Sequence, residues 1–326
     1  MSESGDYDPG QWRGHDFQSA YASYDRHVGR SYDDAVSSGR RASTLIPATL
    51  KSNSESPLVI GIDVTGSMGE WPKTIFSKLP YLEHEAKDYL GDETEISFFA
   101  VGDAHSDQYP LQVRPFDKGT HLKSRLEELI IEGNGGGQKK ESYELPALYY
   151  ARNVDLPKVI RNPVYIFIGD EGFYDIANKD QAEQWARVKL EQSMQTADVF
   201  KELQESYSVY LVRKPYELTG SDSMSSIDQI ISRQWESVLG ADHIAPLADP
   251  GRVVDVIFGI LAQEAHRVKD FEKELRGRQT PEQVRTVMKS LHSIHYLPKH
   301  SVKKIGFGNS MMRAKTGGAA AKPLIE

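Results

Sequence analysis

Twice in this chain an unbroken apolar run stops on a carboxylate: Pro57-Leu-Val-Ile-Gly-Ile-Asp63 and Pro163-Val-Tyr-Ile-Phe-Ile-Gly-Asp170. A strand with one wet face alternates apolar and polar residues. A run that is apolar at nearly every position has to be covered on both sides, as happens in a parallel sheet held between two helical layers. Two such runs, each ending in an acid, constrain the fold more than any other feature of the chain.

The segments around them alternate in the same sense. Residues 70–90 carry Ile75, Phe76, Leu79 and Leu82 at helical spacing, and residues 95–101 read as the next strand. Helical patterns recur over 122–131, 143–151 and, as one long stretch, 180–203; residues 208–212 and 243–245 read as strands. Between these last two, Ile227, Ile230, Ile231, Trp235 and Val238 are assigned to the apolar face of a helix, and Asp249-Pro250 has the chemistry to open another through Val253, Val254, Ile257 and Leu261. The expected fold class is therefore α/β, a doubly wound and mostly parallel sheet flanked by helices. A helical extension follows, with Val268, Phe271 and Leu275, then Thr280-Pro281 opening a helix with Val284, Val287, Met288 and Leu291 on its apolar face.

The ends have a different composition. Residues 1–55 are rich in Ser, Gly, Asp, Arg and Tyr and read as a partly disordered arm, in which Phe17, Tyr21, Tyr24 and Val28 have the spacing of one short amphipathic helix. The expected division is then 56–264 for the α/β domain, 265–297 for the helical extension and 298–326 for a flexible tail. A net charge of −8 argues against a protein built to coat nucleic acid, which needs a basic surface to displace counterions. With no cysteine, any metal has to be held by oxygen or histidine. No stretch approaches the roughly 18 apolar residues of a membrane span, and no apolar leader opens the chain, so the expected location is cytoplasmic, away from any membrane.

Three polar clusters sit where an open α/β sheet forms its ligand crevice, beyond the carboxyl ends of the strands. They are Asp63-Val64-Thr65-Gly66-Ser67, the loop Gly133-Asn-Gly-Gly-Gly-Gln-Lys-Lys-Glu-Ser142, and Asp170-Glu171-Gly172. The glycine run lacks the Gly-Lys-Ser/Thr ending of a nucleotide-binding loop. In this order and spacing the clusters resemble the von Willebrand factor A family, whose metal-ion-dependent adhesion site reads Asp-x-Ser/Thr-x-Ser, then Thr before a helix, then Asp after a later strand. Asp63, Thr65 and Ser67 match the first part and Asp170 the last. Ser142 takes the middle position when Ser142-Tyr-Glu-Leu-Pro-Ala-Leu148 is laid over the family's Thr-x-Thr-Gly-x-Ala-Leu; here Ser replaces Thr, and Lys139 and Lys140 would oppose a cation if they pointed inward.

The resemblance covers roughly residues 57–261. It implies a divalent metal, Mg²⁺ with Mn²⁺ or Ca²⁺ as substitutes, held by Asp63, Thr65, Ser67, Ser142 and Asp170. It further implies a non-catalytic module that captures an Asp or Glu of a partner protein on the metal's open position, as a subunit or recruiter in an intracellular assembly. Two other readings remain open. Asp63, Asp103, Asp170, Glu171 and Asp175 are enough acids for a metal-dependent phosphoesterase or other hydrolase, and the same fold can serve as a metal-independent scaffold.

Overall fold

A computed structural model of the chain describes residues 45–69, 71–79, 82–131, 139–216 and 224–296. The amphipathic pattern at Phe17–Val28, the glycine run and the flexible tail lie outside the described residues.

Six strands form the central sheet: β1 (Leu58–Asp63), β2 (Ile96–Val101), β3 (Leu111–Val113), β4 (Val164–Gly169), β5 (Ser208–Arg213) and β6 (Ile244–Pro246). Their order is β6-β5-β4-β1-β2-β3, parallel throughout except for β3, which runs antiparallel to β2. The mostly parallel α/β class expected from the two apolar runs is the one observed. β1 and β4 are buried at every position, as unbroken apolar runs require.

Successive side chains of β1 go to opposite layers. Leu58, Ile60 and Ile62 join one apolar cluster and Val59 the other. The first cluster is covered by α1 (Trp71–Lys78), α2 (Leu82–Leu90), α3 (His121–Glu127), α8 (Val253–Glu264), α9 (Val268–Arg278), α10 (Pro281–Ser290) and α11 (His292–Tyr296). The second takes α4 (Glu144–Arg152), α5 (Lys179–Gln184), α6 (Thr196–Ser206) and α7 (Ser226–Leu239). Gly61 has a steric reason to interrupt β1: a Cβ there would stand 1.7 Å from Cζ of Phe99, whose ring crosses the strand at that point.

Four details depart from the sequence reading. The helix expected over 70–90 is two helices, with Pro80 between them in sequence, a residue that disfavours helical backbone just before it. The long helix expected over 180–203 is also broken. Arg187 adopts φ 53°, its Nε donates to the Ile46 carbonyl at 2.8 Å, and Met194–Gln195 pairs antiparallel with Ile176–Ala177 before α6 begins. In α7 the buried stripe is Ile231, Trp235 and Leu239, spaced by four, while Ile230 is 66 % exposed. Finally, the packed body begins within the segment read as an arm: Leu45, Ile46 and Leu50 are buried, and Leu50–Lys51 pairs parallel with Val154–Asp155.

The C-terminal helices are integrated with the α8 layer. Phe271, Leu275, Val287 and Leu291 are buried in the same cluster as α8. Buried Arg252 adds a polar tie, donating to Gln279 Oε1 at 2.9 Å and to Asp255 Oδ2 at 3.3 Å. Thr280 closes the expected capping box with Gln283 at the start of α10.

Candidate metal centre

Strand order decides where a site can form. From β1 the chain steps to β2 on one side and later returns to place β4 on the other, so the order reverses between β1 and β4 and opens a crevice beyond their carboxyl ends. Ile62 pairs with Ile168, which brings the next residues of the two strands, Asp63 and Gly169-Asp170, to the same rim.

Asp63, Thr65, Ser67 and Asp170 form one hydrogen-bonded chain there. Thr65 donates to Asp63 Oδ1 from its backbone N–H at 2.9 Å and from its hydroxyl at 2.5 Å. The Thr65 and Ser67 hydroxyls lie 3.2 Å apart, and Ser67 donates to Asp170 Oδ1 at 3.0 Å. Both carboxylates are fully buried. Burial, with the charge of Asp170 as the second cause, raises the pKa of Asp63 above the usual carboxylate range, against the lowering effect of its bonds to Thr65 and Tyr143.

Ser142 reaches the same rim by a different route. Lys140–Glu141 pairs parallel with Gly172–Phe173 beyond β4. Ser142 N then donates to Gly102 O at 3.1 Å just past β2, and its hydroxyl accepts from Ala104 N at 2.9 Å. The loop thus crosses over β1. Among the described residues no hydrogen bond joins the Ser142 hydroxyl to the Asp63–Asp170 chain, but its neighbours bracket that chain. Tyr143 donates to Asp63 Oδ2 at 2.8 Å, and the charge of Asp63 adds to burial in raising the pKa of Glu141. The two lysines before Ser142 are directed elsewhere: Lys140 Nζ pairs with Asp175 at 3.0 Å, and Lys139 Nζ stands over the Tyr216 ring.

Sequence reasoning overlooked three contributors. Lys214 Nζ donates to Asp170 Oδ2 at 2.7 Å and to the Ser67 carbonyl at 2.8 Å. Tyr143 and Glu141 are the others; burial first, then the charges of Asp63 and Glu171, raise the pKa of Glu141. A signal for Tyr143 existed in Gly169, the glycine before the acid. A Cβ at Gly169 would stand 1.8 Å from the Tyr143 hydroxyl and 3.2 Å from the Asp63 Cβ. Gly169→Ala is therefore expected to push Tyr143 off Asp63 and to lower stability by about 1–3 kcal/mol, the usual range for overpacking, as read by urea denaturation.

Among the described residues no group of three or more His, Asp or Glu side chains stands ready to hold a metal. The rim combines two carboxylates with hydroxyls, which is a different donor set. Asp103 and Asp175 are committed to other partners. Asp103 accepts from His105 N, Ser106 and Tyr174, and Asp175 from Lys140 and Gln234.

No family model and no curated protein matches the chain. Solved structures do. The pilus adhesin SpaC from Lactobacillus rhamnosus GG matches with 11 % identity and a TM-score of 0.46, over 68 % of this chain and 32 % of that one. Proximal thread matrix protein 1 from the mussel byssus matches with 9 % identity and a TM-score of 0.39, over 68 % and 49 %. A von Willebrand factor type A structure from Catenulispora acidiphila matches with 15 % identity and a TM-score of 0.33, over 65 % and 43 %. The chain spans less than half the length of each of these structures.

Proposed function

We propose that this chain is a non-catalytic protein-interaction module of the von Willebrand factor A type. In this reading Asp63, Thr65, Ser67, Ser142 and Asp170 hold a divalent cation, Mg²⁺ or its substitutes Mn²⁺ and Ca²⁺, and a partner protein supplies an Asp or Glu. When bound, the metal supplies an electron-poor open position for that anionic oxygen. The chain's own part is to hold the donors in place and to keep the two carboxylates out of bulk water.

The observation that carries this reading is the run of oxygens from Asp63 to Asp170 at the crevice between β1 and β4. A Mg²⁺ ion with bonds of about 2.0–2.1 Å sets neighbouring ligand oxygens about 3 Å apart. The Thr65–Ser67 and Ser67–Asp170 separations are 3.2 and 3.0 Å. Asp63, moreover, accepts hydrogen bonds from neutral donors, Thr65 and Tyr143, so a cation beside it would relieve a buried carboxylate. The engagement of Asp103 and Asp175 elsewhere favours one metal over the pair that a two-metal hydrolase uses. Among the described residues no helix is long and apolar enough to cross a membrane.

Titration calorimetry with Mn²⁺ tests the site. Wild type is expected to give a saturable heat, and Asp63→Asn and Ser67→Ala to weaken binding at least tenfold, about 1.4 kcal/mol, with unchanged circular dichroism. Equal heats from wild type and Asp63→Asn would sink the metal reading. Loss of captured partners on chelation, restored by Mn²⁺, is the matching result for the interaction.

A further inference from the structure

The crevice already contains a cation that belongs to the chain. β5 pairs with β4 so that Arg213 lies opposite Gly169, and Lys214 N donates to Gly169 O at 2.9 Å. This register sets Lys214, the first residue past β5, directly beside Asp170, the first residue past β4. The Lys214 side chain is 15 % exposed, and two of its three ammonium protons go to Asp170 Oδ2 and the Ser67 carbonyl. Both residues belong to the proposed metal-holding set.

We infer that Lys214 is the resident counter-ion of this crevice and competes with the divalent cation for Asp170, so that metal capture requires the ammonium to withdraw. The inference rests on the metal reading above. The physical reason is direct: an ammonium and a divalent ion beside one buried carboxylate repel each other in a medium that screens charge poorly, while either alone neutralises it. Lysine suits such a role. Its charge is compact, and its four-carbon stem lets the head swing to water without backbone change. The wild-type site is then a weak binder tuned by Lys214, and anything that draws the ammonium away, such as an acidic group on the partner, promotes metal binding.

Mn²⁺ calorimetry on wild type, Lys214→Met and Lys214→Gln tests this, with Lys214→Arg as the charge-preserving control. Met and Gln are expected to tighten Mn²⁺ at least tenfold, and Arg to stay within about threefold of wild type. Met and Gln should also lower the melting temperature without metal and recover it with Mn²⁺. If neither variant folds, the wild type still decides: acetylation of Lys214, followed by peptide mass spectrometry, should run at least threefold faster at saturating Mn²⁺ than without it. Wild-type binding with no gain in Met or Gln, or with unchanged Lys214 labelling, would overturn the inference and leave the metal site standing. Absence of Mn²⁺ binding from wild type and from Lys214→Met alike would overturn both.

Discussion

Trp235→Ala is expected to lower the free energy of unfolding by about 3–5 kcal/mol, the range for removing a fully buried large aromatic, and to reduce Mn²⁺ affinity with it. Trp235 sits on α7 with no exposed surface. Its ring meets Tyr143 and Phe173 edge-on at centroid distances of 5.0 Å each, and Phe200 at 5.4 Å. Its Nε1 donates to the Glu171 carbonyl at 2.8 Å. Truncation removes these aromatic contacts and a fourth with Phe167 at 5.7 Å, and leaves a buried carbonyl without its donor. The loss also reaches the rim, because Tyr143 holds Asp63 and Glu171 directly follows Asp170. Trp235→Phe refills most of the volume and forfeits the N–H, so urea denaturation should place it about 1–3 kcal/mol below wild type. A Trp235→Ala variant as stable as wild type would show that the aromatic cluster does not support this layer.

The same connection explains what could and could not be read from the residues. β1 and β4 were legible because burial on both faces demands apolar side chains at consecutive positions, and the acids ending them were legible because a carboxylate is unusual directly after such a run. Asp63 and Thr65 needed no long-range information, since Thr65 bonds Asp63 two residues away, whereas the Ser67 hydroxyl also reaches Asp170, 103 positions on. Lys214 was not legible. It is an ordinary lysine after an ordinary strand until β5 is known to lie beside β4 in a register that pairs Arg213 with Gly169. Tyr143 was hidden for a related reason, because at an apolar-rich helix start it reads as core, and only the absence of a side chain at Gly169 makes room for its hydroxyl. The break was invisible to periodicity: residues 180–203 keep helical spacing, the first helix stops at Gln184, and Arg187 beyond it bonds Ile46, 141 positions away. β3, with three residues, is too short to show a pattern.

Asp228→Ala is the second large effect, expected at about 3–5 kcal/mol, because it strands a buried guanidinium. Arg213 Nη2 and Asp228 Oδ1 are directly bonded, and both side chains are buried. Asp228 also accepts from Tyr216 N at 2.8 Å and from the Ser225 hydroxyl at 3.0 Å, so one carboxylate ties the last residue of β5, the segment after it and the start of α7 together. Lys214 lies inside that tie, between Arg213 and Tyr216. Replacing both charges, Arg213→Met with Asp228→Leu, should cost far less than Asp228→Ala alone, since the penalty comes from the unpaired charge more than from loss of the pair. The double variant nevertheless removes the acceptor of Tyr216 N, so the segment that carries Lys214 loosens while the fold remains. If Lys214 governs entry of the metal, this near-isostable double variant should bind Mn²⁺ more tightly than wild type. Thermal denaturation and calorimetry on the same preparation separate the two effects: equal Mn²⁺ affinity would mean that the anchoring of β5 to α7 serves stability alone.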